Sequence, residues 1–222
     1  MITQEKAMRF DYPHSALIIV DVQYDFCPGG ALGVENGDSV IKPLNRLASL
    51  FADKSGRVVA TQDWHPPKHA SFASSHADRK PGDTMDLPNV KGQVLWPDHC
   101  IQGSRGAEFH QQLDQRPVSF VIRKGFRKNL DSYSSFFEND RKTPTGLDGL
   151  LKALSIDTVL IGGLATDYCV FFSAMDAVTL GYKTFVAGDA VQGVNLPAGS
   201  IDRAYKFMNK AGITVVVSGD IE

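Results

Sequence analysis

Six short runs rich in Val, Ile and Leu, at 16–20, 57–61, 118–123, 158–162, 182–187 and 213–217, constrain this 222-residue chain more than any other feature. Each has strand length, and several lack the polar alternation of a sheet with one wet face, so they read as strands covered on both sides. Between them lie helix-like segments at 38–53, 144–154, 167–180 and 197–211, the last two stopped by Gly181 and Gly212. The expected fold is α/β: a doubly wound, mainly parallel six-stranded sheet with helices on both faces. With 43% apolar residues the chain can bury a full core. The expected organisation is an N-terminal extension over 1–15 and a single domain over 16–222.

The stretch 62–117 departs from this rhythm. It joins two strands with little periodicity and many Pro, Gly, Ser and Asp residues, yet holds five of the six histidines and both tryptophans. A loop region of that length in a compact domain is usually functional or disordered, and this composition argues for function.

Ligands of open parallel sheets bind beyond the carboxyl ends of the strands. Asp21, Asp63, Lys124 and Cys169 all follow expected strands at that edge, so the topology places them on one rim. Cys169 stands where the run ending at Leu164 turns through Ala165-Thr166-Asp167 into a helix, and unpaired N–H groups at a helix start favour thiolate over thiol. Singly, each residue has a plain reading: Cys169 as a small core residue, Asp21 as a turn cap, Lys124 as a surface cation. Together they point to a Cys/Asp/Lys site. Asp63 and His65, two apart on extended backbone, point the same way and start a metal site. His99 in Trp96-Pro97-Asp98-His99-Cys100 is the best third ligand, giving a His₂-carboxylate set, with His69 a fourth ligand or a partner behind it. Cys27 and Cys100 lack a comparable position and read as structural or as residues supporting the site from behind.

The net charge of −2 gives no case for nucleic acid or an anionic membrane as partner. No apolar run approaches the roughly 20 residues of a membrane-spanning helix. Three cysteines cannot all pair internally, and Asp21 interrupts the first apolar run, so no signal peptide is read and a cytoplasmic location is expected.

The motifs Val20-Asp21-Val22-Gln23-Tyr24-Asp25-Phe26-Cys27-Pro28-Gly29-Gly30, Gln62-Asp63-Trp64-His65-Pro66, Trp96-Pro97-Asp98-His99-Cys100, Lys124-Gly125 and Gly163-Leu164-Ala165-Thr166-Asp167-Tyr168-Cys169-Val170 closely resemble, in this order, those of nicotinamidases (pyrazinamidases) among the isochorismatase-like cysteine hydrolases. The resemblance runs from about Ala16 to the last strand and implies the isochorismatase-like hydrolase fold. It implies hydrolysis of nicotinamide to nicotinate and ammonia through a cysteine thioester, in NAD salvage, with pyrazinamide a further substrate. It further implies Asp21, Lys124 and Cys169 as the catalytic triad, and Asp63, His65 and His99 as ligands of one divalent metal, zinc first and iron or manganese also suited. Phe26, Trp96 and Tyr133 are implied as the aromatic pocket, with Leu164 and Ala165 beside it. A cis peptide between Leu164 and Ala165 and an oxyanion hole of the Ala165 and Cys169 N–H groups complete the set. The implied partner is the small molecule nicotinamide, with homo-oligomerisation left open. Competing readings are an amidase of carbamoyl or ureido compounds, and a thiol-based redox sensor that turns nothing over.

Overall fold

The computed structural model describes residues 8–222; residues 1–7 of the expected extension lie outside the described residues. Eight strands follow in chain order: β1 (Ser15–Val20), β2 (Arg57–Asp63), β3 (Thr84–Leu87), β4 (Val90–Val94), β5 (Phe120–Lys124), β6 (Thr158–Leu164), β7 (Lys183–Gln192) and β8 (Thr214–Val216). Six of them make one parallel sheet in the order β5-β2-β1-β6-β7-β8, and β3 and β4 form a separate antiparallel hairpin. From β1 the chain winds outward through β2 to β5; from β6 it winds the other way through β7 to β8. The reversal falls between β1 and β6, and the carboxyl end of that junction is where a crevice opens in such sheets.

Helix α1 (Ile41–Asp53) covers one face; α2 (Leu147–Ala153), α3 (Phe171–Thr179) and α4 (Ser200–Lys210) cover the other. The absence of polar alternation now has its cause. In β1 all six residues are buried: Leu17 and Ile19 pack with Leu44, Leu47 and Phe51 of α1, while Ala16, Ile18 and Val20 pack on the opposite side with Leu147, Leu151, Ala174 and Met208. At about 1.5–3 kcal/mol per buried large aliphatic side chain, these two layers are the main source of stability.

The helices are shorter than the sequence pattern predicts. Residues Gly37–Val40 form a 3₁₀ turn ahead of α1, and Thr166–Val170 form a π-helical turn ahead of α3. The hairpin of β3 and β4 is not foreseen by the sequence reading, because strands of four and five residues are too short to carry a distinct hydrophobic period. Part of the expected extension packs into the fold: Tyr12 is buried, Phe10 and Tyr12 lie with ring centroids 5.5 and 5.1 Å from Phe51, and Met8 N–H donates to the Asp220 carbonyl. Among the described residues no helix is long and apolar enough to cross a membrane.

Gly163 of β6 pairs with Val20 of β1. Its φ is +122°, and a Cβ there would stand 2.1 Å from the Val20 carbonyl oxygen. Gly163→Ala is therefore expected to cost about 2–6 kcal/mol, combining backbone strain with overpacking. Urea denaturation checks this, and a loss under about 1 kcal/mol would show that the sheet relaxes freely around the added methyl.

Candidate active site

Three strand ends bring the expected triad together. Asp21 follows β1 with φ 49°, and its Oδ1 accepts a 2.6 Å hydrogen bond from Thr61 on the neighbouring β2. Lys124 ends β5, its side chain fully buried. Cys169 lies in the π-helical turn after β6, preceded by a cis peptide between Leu164 and Ala165.

The Lys124 ammonium organises this cluster. Its acceptors include Asp63 Oδ1 at 3.1 Å, the Ser132 carbonyl at 2.9 Å and Cys169 Sγ at 3.5 Å. Asp21 Oδ2, 2.8 Å from the same nitrogen, is the nearest of its partners and forms a buried ion pair with it, so four acceptors share the three hydrogens. That carboxylate keeps a lone pair free to take a proton.

Burial alone would lower the Lys124 pKa, but Asp21 and Asp63 overcome it and hold the ammonium well above its ordinary value. Burial raises the Asp21 carboxyl, with Lys124 opposing and Asp63 reinforcing. Burial likewise pushes the Cys169 thiol well up, and Asp21 and Asp63 add to the rise against Lys124. This corrects the sequence expectation of a favoured thiolate: full desolvation between carboxylates outweighs the helix end. The outcome is a neutral thiol beside a carboxylate of enhanced basicity, the arrangement suited to proton transfer during attack rather than before it.

Asp63, His65 and His99 form a buried group of potential metal-holding atoms. His65 Nε2 lies 3.1 Å and His99 Nε2 3.5 Å from Asp63 Oδ2. Both rings are fixed from behind, His65 Nδ1 by the Gly125 carbonyl at 2.9 Å and His99 Nδ1 by that of Pro97 at 2.7 Å, which leaves each Nε2 as a lone-pair donor. Gly125 has φ +63°, and a Cβ there would meet the His65 ring at 2.5 Å, so this support requires glycine. The donor set fits one divalent ion of borderline softness. His69, the expected fourth ligand or supporting partner, stacks 4.4 Å from His65 but has Nδ1 on Ser71 Oγ and Nε2 on the Arg127 carbonyl. A second grouping of His65, His69 and Asp131 adjoins the first.

Cys169 opens into a pocket lined by Phe26, Leu32, Asp63, Trp96, His99, Asp131, Tyr133, Ala165, Tyr168 and Val194. Phe26, Trp96, Tyr133 and Ala165 are thus at the pocket as expected. Leu164 is not: it is buried in the core on the α1 face. Tyr168, whose ring lies edge-on to Trp96 at 5.0 Å, and Asp131 were missed, since neither has a distinctive local signal. Gln23 was missed as well. It sits inside a quoted motif, and its amide clamps the Asp63 backbone by accepting from Asp63 N–H and donating to the Asp63 carbonyl, both at 2.8 Å. Cys27 and Cys100 are buried and free.

A family model described as the isochorismatase domain matches residues 15–220. A nicotinamidase of Acinetobacter baylyi is 47% identical over 93% of this chain and 94% of its own length. Among solved structures, a nicotinamidase/pyrazinamidase of Acinetobacter baumanii superposes with a TM-score of 0.89 at 47% identity, covering 94% of this chain and 98% of the other. A pyrazinamidase of Pyrococcus horikoshii in complex with zinc superposes with a TM-score of 0.75 at 34% identity, covering 92% and 99%.

Burial lowers the His65 pKa, but Asp63 and Asp131 reverse that and bring it to about 9 in the ion-free protein. A ligating imidazole is neutral, so uptake of a divalent ion near neutral pH, below that value, is expected to release about one proton. Calorimetric titration of metal-stripped protein with zinc, in buffers of different ionisation enthalpy, measures this, and zero release would contradict the assigned protonation.

Proposed function

The chain belongs to the isochorismatase family, and we propose that it is a nicotinamidase, hydrolysing nicotinamide to nicotinate and ammonia, with pyrazinamide as a further substrate. The observation that carries this reading is the meeting of Asp21, Lys124 and Cys169, with Cys169 opening into an aromatic pocket whose wall includes Asp63 and His99. The names of the relatives at 47% identity support the substrate.

The flat ring fits between Phe26, Trp96 and Tyr133, where edge and face contacts with aromatic side chains stabilise it. This sets the carboxamide carbon against Cys169. Asp21 takes the thiol proton on a free lone pair of its carboxylate as sulfur attacks, so charge passes from sulfur to the carbonyl oxygen without a free thiolate accumulating. The backbone N–H groups of Ala165 and Cys169 hold that oxyanion. Asp21 returns the proton to the departing nitrogen, ammonia leaves and the thioester remains. Water then adds to the thioester while Asp21 accepts its proton, and nicotinate and the thiol are released. Lys124 acts throughout as a fixed positive charge, not as a base.

Asp63, His65 and His99 would hold one divalent ion, which when bound supplies a Lewis acid beside the pocket; zinc is the first choice, with iron or manganese suited to the same ligands. Residues 16–222 serve as one catalytic unit in this reading, with 62–117 providing the metal ligands and much of the pocket wall. The free, buried cysteines fit a reducing cytoplasm.

Ammonia release from nicotinamide tests the proposal. Cys169→Ala is expected to lower turnover by more than about 10³-fold, and Asp21→Asn by about 10²–10⁴-fold. Chelation should abolish turnover and added metal restore it. Hydrolysis that survives in Cys169→Ala would remove the thioester route, and metal-loaded wild type inert toward nicotinamide would remove the substrate.

A further inference from the structure

A single backbone residue joins two of the metal-holding histidines. Cys100 directly follows His99, and its carbonyl accepts the N–H of His65 at 3.0 Å. It does so from a left-handed conformation, φ +46°. Residues other than glycine, asparagine and aspartate seldom occupy that region, and they keep it only where their surroundings fix them.

The hydrogen bond that holds Cys100 comes from a carboxylate far away along the chain. Asp25 Oδ2 accepts the Cys100 N–H at 2.7 Å across 75 residues, and Asp25 Oδ1 accepts the Ala31 N–H at 3.2 Å. The carboxylate lies against Gly106, where a Cβ would stand 2.0 Å from Oδ2 and 2.5 Å from Oδ1. Any side chain at 106 would therefore push it away from Cys100. Asp25 neither lines the pocket nor belongs to the group of metal-holding atoms, and the proposed reaction gives it no part.

We propose that Asp25 is a positioning residue of the metal site: by accepting the Cys100 N–H it holds the left-handed link that sets the spacing of His99 and His65. This rests on the reading of Asp63, His65 and His99 as holders of one divalent ion. Gly106 belongs to the same device, since the room it leaves keeps the carboxylate in place. Without that acceptor the Cys100 backbone relaxes toward an ordinary φ, and His99 moves relative to His65 and Asp63. Asp25 thus acts on the ligands through the main chain, whereas the Gly125 and Pro97 carbonyls act on them through the rings.

The test reads metal binding rather than turnover. Zinc dissociation constants are measured by competition with a chromophoric chelator for metal-stripped wild type, Asp25→Ala, Gly106→Ala and Asp25→Asn, with folding of each checked by circular dichroism. Asp25→Ala removes the acceptor, and Gly106→Ala displaces it while leaving Asp25 and every ligand unchanged; each is expected to weaken zinc binding about 10- to 100-fold. Asp25→Asn keeps an oxygen that can turn to the Cys100 N–H, and its affinity is expected to stay within about threefold of wild type. Wild-type affinity in Asp25→Ala and Gly106→Ala overturns the proposal. So does an Asp25→Asn protein as weak as Asp25→Ala, which would assign the effect to charge rather than to the hydrogen bond. Should Asp25→Ala fail to fold, Gly106→Ala decides alone, because the group it moves is the free end of a side chain. A wild type that takes up no zinc removes the metal reading together with this inference, whereas equal zinc binding in all four proteins removes the inference only.

Discussion

The buried ammonium of Lys124 is the interaction on which the rest of the site depends. It ends β5, yet its contacts run to Asp21 after β1, Asp63 at the end of β2, Ser132 in the following loop and Cys169 after β6. A charge taken wholly out of water is tolerated only when opposite charges and hydrogen bonds surround it, and removal of one partner from such a set costs about 3–5 kcal/mol. The same contacts that make the lysine bearable hold four separated strand ends in one register. The proposed chemistry and the folding therefore share a constraint: Asp21, Cys169 and Asp63 are tied to a single cation.

Two kinds of backbone build the site. The parallel sheet supplies Asp21, Asp63, Lys124 and Cys169 from rigid ends at the reversal between β1 and β6, so their mutual distances follow from strand spacing. The irregular stretch after β2 and the loop after β5 supply His99, Trp96, Asp131 and Tyr133, which face the substrate. That stretch is held by its own pairings: His65 N–H donates to the Cys100 carbonyl, Gln102 N–H to that of His65, and Trp96 N–H to that of Ser71. Specificity can thus vary in the irregular part while the reacting groups stay fixed in the sheet.

This division also explains what could be read from the sequence. Strands buried on both faces announce themselves by apolar runs without alternation, and residues just past such runs are placed by topology, so Asp21, Lys124 and Cys169 were legible as one rim. Asp63 and His65 were legible because extended backbone sets alternate side chains on one side. Gln23 and Asp131 were not, because their importance lies in contacts 38 to 84 residues away along the chain that no local pattern encodes. Leu164 neighbours the pocket in sequence but turns into the core, and His69 has its ring nitrogens engaged by Ser71 and Arg127. The protonation of Cys169 was misjudged because a helix end is a local feature whereas desolvation belongs to the whole fold.

The most direct test of this account is the charge of Lys124 itself. Nitrogen-15 NMR of lysine side chains, with Lys124 assigned by comparison with a Lys124→Arg protein, reads ammonium and amine at distinct shifts. The ammonium is expected to persist through alkaline pH beyond the ordinary lysine value of about 10.4, as two neighbouring carboxylates require. A Lys124 that is already a neutral amine near pH 7 would contradict it, leaving Asp21 and Asp63 without their shared counter-charge and the lysine as a base in its own right.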